Sequence, residues 1–65
     1  MMWTLNDDTS PDGVIFAGTE DEVKAKWFEV LKEGKHLKMN LYAEDPLGGQ
    51  WAFNPNRNPK GWDEI

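Results

Sequence analysis

The side chains that could perform chemistry in this chain are few, and their spacing does not match known catalytic sites. His36 is the only histidine, Ser10 is the only serine, and cysteine is absent. One imidazole without thiolates makes a poor metal site. Ser10 also lacks the Gly-x-Ser-x-Gly turn that presents a nucleophilic serine in many hydrolases. We therefore expect no enzyme activity, no metal and no cofactor, and we interpret His36 as a residue that stabilises the C-terminal end of a preceding helix.

Three aspartates, Asp7, Asp8 and Asp12, lie close together and could suggest a calcium site. A calcium-binding EF-hand loop needs a glutamate at its twelfth position, and no glutamate occurs between Asn6 and Gly18. The same segment contains Pro-Asp-Gly, which favours a turn. We interpret these aspartates as turn residues.

Composition restricts the class of partner. The 65 residues include twelve acidic and seven basic side chains, for a net charge of −5. Binding to free nucleic acid or to phosphate needs clustered lysine and arginine, so we expect no direct nucleic-acid partner. Another protein with a basic surface fits better. The lack of cysteine and of any apolar run near about 20 residues favours a cytoplasmic protein that does not enter a membrane.

The clearest structural element is a helix, predicted from Glu20 to Glu33. Thr19 and Glu22 have the spacing of a capping box, and Gly34 is a typical helix stop. Four apolar residues recur at helical spacing and are expected to be buried. They are Val23, Trp27, Val30 and Leu31.

Alternating apolar and polar residues predict two strands before the helix and two after it. The predicted strands are 2–5, 14–17, 37–43 and 50–53. In the third strand, the side chains expected to face the core are Leu37, Met39, Leu41 and Ala43. Residues 1–54 are therefore predicted to form one domain. The tail, 55–65, contains two Asn-Pro steps and is expected to be irregular, because proline cannot donate a sheet hydrogen bond.

The element order predicts a single small ββαββ domain of the α+β class, with one helix packed on a four-stranded sheet. The favoured strand order is 2-1-4-3, similar to β-grasp domains, with a right-handed crossover between parallel strands. An antiparallel 2-1-3-4 sheet is the alternative. Both orders leave one face of the sheet without a helix.

The strand directions predict that one end of the molecule is acidic. They place the helix N-terminus and the link between the third and fourth strands at the same end. The residues expected there are Glu20, Asp21, Glu22, Glu44 and Asp45. No lysine or arginine is adjacent to either group in the sequence, so we expect this charge to be uncompensated. His36 is expected at the opposite end, near Asp7.

Trp62 has two interpretations. It could fold back and cover the helix-free face of the sheet, or it could project as an aromatic anchor for a partner. Lys38 and Tyr42, on the outer face of the third strand, would supply a polar contact surface. The partner-binding candidates are Trp62, Ile65, Lys38, Tyr42, Glu20, Asp21, Glu44 and Asp45.

These features predict a small acidic, non-enzymatic protein-interaction module that acts as an inhibitor or adaptor. Small acidic chains of this composition resemble phage accessory proteins. Two alternatives remain open. One is an acidic mimic of nucleic acid that blocks a nucleic-acid-binding protein, and the other is a self-associating structural domain that forms a homodimer.

Overall fold

The structure, a computed structural model, describes residues 2–9, 13–57 and 59–65. Its elements are β1 (Trp3–Asp7), β2 (Val14–Gly18), α1 (Glu20–Glu33), a 3-10 helix (Lys38–Asn40), β3 (Leu41–Glu44), β4 (Gln50–Phe53) and β5 (Trp62–Glu64). The strands form one antiparallel sheet, and α1 packs on it over β1 and β2. The predicted α+β class is confirmed. Ser10 and Asp12, considered above as candidate site residues, lie outside the described residues.

Helix α1 has the predicted bounds. The Thr19 hydroxyl accepts the Glu22 backbone N–H at 3.2 Å, and the Glu22 carboxylate accepts the Thr19 N–H at 2.9 Å. Gly34 ends the helix with a φ of 76°, in the left-handed region that favours glycine. The apolar stripe faces the sheet as predicted. Val23, Trp27 and Val30 are buried, and Leu31 is half-buried.

The strand order is β2-β1-β3-β4-β5, so the favoured order 2-1-4-3 is wrong. The first four strands follow the alternative order, and a fifth strand is added beside β4. The two orders share the same strand directions and differ only in which strand lies next to β1. In the order 2-1-4-3 both edges of β4 would be occupied, whereas the observed order leaves one edge of β4 available to β5.

Strand β3 is shorter than predicted, because it begins at Leu41. Leu37 and Met39 were expected to face the core, yet they are 62% and 84% exposed. The cause is the length of its neighbour. β1 ends at Asp7, which pairs with Leu41, so the residues before Leu41 have no partner in β1. They form a 3-10 helix instead, and only Leu41 and Ala43 of the predicted stripe are buried.

The expectation of an irregular tail is wrong for Trp62–Glu64, which form β5 against β4. Pro55 and Pro59 lie in the connection before the strand, so neither removes a donor from the sheet ladder. Trp62 is only 7% exposed. It is buried on the helix side of the sheet, not on the helix-free face as the first interpretation proposed.

Aromatic rings of α1, β1, β4 and β5 pack against one another on the helix side of the sheet. Trp27 of the helix makes edge contacts with Phe53 and Trp62, with ring centroids 6.1 and 6.2 Å apart. Trp62 also stacks on Trp3, at 5.1 Å. In a chain of 65 residues, these large rings provide much of the apolar area that can be buried.

Candidate partner-binding surfaces

The structure brings together the two chain segments that were predicted to form the acidic end. Trp3 pairs with Gly18, and Thr4 pairs with Glu44. The start of α1, directly after Gly18, is therefore close to the end of β3. Glu20 and Asp45 line the same cleft at this end. The prediction depended on strand directions, which is why it survives the error in strand order.

The charge at this end is not uncompensated as predicted. The Lys24 ammonium lies 3.3 Å from Glu20 Oε2, and Lys60 also lines the cleft. The sequence contained a signal for the first contact, because Glu20 and Lys24 are four residues apart in a helix. The sequence contained no such signal for Lys60, because only the path of the tail brings this residue to the cleft. Asp21 is exposed and Glu44 is half-buried.

We call this feature the tryptophan cleft, a cavity of about 600 Å³. It is lined by Trp3, Glu20, Lys24, Asp45, Trp51, Pro59, Lys60 and Trp62. Two of its indole N–H groups donate to carboxylates. Trp62 Nε1 donates to Glu20 Oε2 at 3.1 Å, and Trp51 Nε1 donates to Asp45 Oδ2 at 2.8 Å. Three predicted candidates, Glu20, Asp45 and Trp62, therefore meet in one site.

Asp45 is fixed by its own turn. Its side chain accepts the Trp51 indole N–H. It also accepts the backbone N–H of Gly49 at 2.8 Å and that of Leu47 at 2.9 Å. These bonds favour the ionised carboxylate and lower the pKa of Asp45. The cleft therefore contains a rigidly held negative charge.

A second concave surface, which we call the apolar groove, is formed by residues of α1, the 3-10 helix, β3 and β4 together with Asn54 and Ile65. Its volume is about 520 Å³, and it is lined by Trp27, Lys38, Met39, Leu41, Ala52, Asn54 and Ile65. Strands β3 and β4 pair at only two positions, Ala43 with Trp51 and Glu44 with Gln50. Leu41 and Ala52, which lie beyond these pairs in β3 and β4, both line the groove.

The remaining candidates lie at or near this groove. Lys38 and Ile65 line it, and both are exposed, Ile65 by 68%. Tyr42 is half-buried and lies between the buried Leu41 and Ala43, so it faces the helix-free side of the sheet. Sequence reasoning missed Met39, which was assigned to the core and instead forms the rim of the groove.

His36 and Asp7 form a separate polar contact at the other end of the molecule. His36 Nδ1 lies 2.6 Å from Asp7 Oδ2. The Thr9 hydroxyl and backbone N–H both donate to Asp7 Oδ1 at 2.7 Å. Hydrogen bonds from the Thr9 hydroxyl, from His36 and from the Thr9 backbone lower the pKa of Asp7 to about 2. The structure thus gives His36 a specific partner in addition to its place near the end of α1.

Residues 2–9, 13–57 and 59–65 contain no group of three or more histidine, cysteine or acidic side chains arranged to hold a metal ion. In the same part of the chain, no helix is long and apolar enough to cross a lipid bilayer.

Comparisons with known proteins assign no family to this fold and its two surfaces. No known protein family matches the chain, and neither curated proteins nor solved structures gave a significant match.

Proposed function

We propose that this protein is a non-enzymatic protein-binding module, acting as an inhibitor or adaptor in the cytoplasm, and that its partner binds at the apolar groove. One observation carries this proposal. Met39 and Ile65, exposed by 84% and 68%, border a groove whose floor includes the buried side chains of Trp27 and Leu41.

Single exposed apolar residues are common on protein surfaces and need no explanation. The groove differs because two such side chains border one concavity that reaches the core. Concave sites with an apolar centre are where interface side chains are desolvated and contribute most to affinity. Methionine also adapts its shape to a partner at little cost, because its side chain is unbranched and flexible.

The occupant that fits this site is an apolar side chain on a protein with a basic surface. The net charge of −5 attracts such a partner and repels acidic ones. Near the groove, Glu64 next to Ile65 is exposed and negative, whereas Lys38 in the lining is positive, so the attraction to a basic partner depends on the net charge of the whole molecule. A second copy of this chain is a less favourable occupant, because it would carry the same excess of negative charge.

The acidic mimic of nucleic acid ranks below this proposal. A mimic needs carboxylates that are free to contact a basic channel. Glu20 is paired with Lys24, and Asp45 already accepts three N–H groups. Salt separates the two functions, because a mimic loses affinity steeply as salt rises whereas an apolar contact does not.

The test is quantitative affinity capture with matched baits. The double variant Met39→Ser/Ile65→Ser removes the groove rim, and Leu47→Ser makes the same type of change at a residue that is 90% exposed and outside the groove. We expect a specific protein to be retained by the wild type and by Leu47→Ser and to be lost with the double variant. Purified partner should then bind with an affinity that falls only modestly as salt rises, because charge attraction adds to the apolar contact but does not dominate it.

Two results would contradict the proposal. In one, the double variant retains the same partners as the wild type. In the other, sedimentation at two concentrations shows that the wild type self-associates and the double variant does not, which would make the groove a homodimer interface.

A further inference from the structure

The ammonium group of Lys24 lies among three groups that favour binding of an amine. Its Nζ lies 3.3 Å from Glu20 Oε2 and donates to the Lys60 carbonyl oxygen at 3.1 Å. It also lies 5.6 Å from the centroid of the Trp62 ring. A carboxylate, a carbonyl oxygen and an aromatic face are three complementary partners of a primary ammonium.

The walls of this position do not depend on Lys24. Trp62 is fixed by its stack on Trp3 and by its N–H bond to Glu20. On the other side of the cleft, Trp51 is fixed by its bond to Asp45. Glu20 Oε2 and the two tryptophan rings would therefore keep these contacts if the lysine side chain moved out.

The ion pair that holds Lys24 is partly open to solvent. Its side chain is 27% exposed, and that of Glu20 is 45% exposed. Exposed ion pairs four residues apart in a helix are weak. The cleft, at about 600 Å³, also has the size of ligand pockets and exceeds the volume of one lysine head group.

We propose that the tryptophan cleft binds a primary alkylammonium group, the side chain of a lysine on a protein partner, and that Lys24 competes for this site from within. The incoming ammonium would take the place of Lys24 between Glu20, the Lys60 carbonyl and Trp62. The cleft shares no lining residue with the apolar groove, so substitutions that test one surface leave the lining residues of the other unchanged.

The first test measures n-butylammonium binding through the indole N–H signals of the cleft tryptophans in NMR spectra. Lys24→Ala should bind several-fold more tightly than the wild type, because the internal competitor is gone. Lys26→Ala is the matched control. Lys26 lies on the same helix, pairs with Glu29 at 3.4 Å and lies 5.8 Å from the Phe16 ring, outside the cleft. It should bind as the wild type does.

Equal affinity in the wild type and Lys24→Ala, or an equal gain in Lys26→Ala, would overturn the proposal. Glu20→Gln, added to Lys24→Ala, keeps an oxygen acceptor for the Trp62 indole and removes the charge. It should reverse most of the gain, and an unchanged affinity would overturn the role of Glu20.

The chemical class is tested with two further ligands. Tetramethylammonium has a charge but no N–H group, so it should bind Lys24→Ala more weakly than n-butylammonium, and equal binding would overturn the role of the two oxygen acceptors. A short peptide with one internal lysine should bind at least as well as n-butylammonium. Failure of the peptide to bind would overturn the assignment to a protein lysine and leave a free amine as the ligand.

Discussion

Replacing Trp62 with alanine should remove much of the stability of this domain. The ring is 7% exposed and contacts three other aromatic side chains. Its indole N–H also donates to Glu20 at 3.1 Å. Without this ring, Trp3 loses its stacking partner, and a cavity opens beside Trp27 and Phe53.

The expected loss is about 3–5 kcal/mol in the free energy of unfolding, the usual cost of truncating a buried tryptophan. The lost hydrogen bond adds little, because Glu20 is partly exposed and can be hydrated. A domain of 65 residues has a total stability of roughly 3–10 kcal/mol. The melting temperature should therefore fall by about 12 °C or more.

Thermal and urea unfolding, followed by far-ultraviolet circular dichroism, measure this loss. Trp51→Ala is the matched control. Trp51 also donates its indole N–H to a carboxylate, but its ring is only half-buried, so its loss should cost clearly less. A Trp62→Ala variant that melts within a few degrees of the wild type would refute the reasoning, and so would an equal or larger loss in Trp51→Ala.

Three further predictions test local features of the fold. Gly61→Ala should destabilise the protein more than Gly48→Ala, measured by urea unfolding. Both glycines have positive φ, but an added Cβ at Gly61 would lie 2.6 Å from the Phe53 ring and one at Gly48 would meet nothing within 4 Å. Thr19→Ala should cost about 1 kcal/mol, because it removes the N-cap bond of α1. Asp7 has a pKa lowered from 3.8 to about 2, so its contribution to stability is complete above pH 3.8 and is lost as the pH falls toward 2. Unfolding of Asp7→Asn should therefore depend less on pH over this range, and an unchanged dependence would contradict the assigned contacts.

Part of the candidate surfaces could be predicted from the sequence. The shared location of Glu20 and Asp45 followed from strand directions, which depend on the order of elements and on short connections. The ion pair between Lys24 and Glu20 could also be predicted, because the two residues are four positions apart in the predicted helix. The position of Lys60 in the cleft and that of Met39 at the groove were not predictable in this way. Both depend on chain segments that pack against distant parts of the molecule.

The sequence by itself determined the elements whose stabilising contacts are local. Helix α1 has its cap, its buried stripe and its stop within residues 19–34, because each of these depends on neighbours at most four residues away. Tertiary structure alone decided where β3 begins, which strand lies beside β1, and that Trp62–Glu64 form a strand. Each of these depends on a partner strand elsewhere in the chain, since a strand is stabilised by hydrogen bonds to another strand and by burial of one face. Residues 37–43 alternate between apolar and polar along their whole length. Only the part from Leu41 onward forms a strand, because β1 ends at Asp7 and offers no partner to the residues before Leu41.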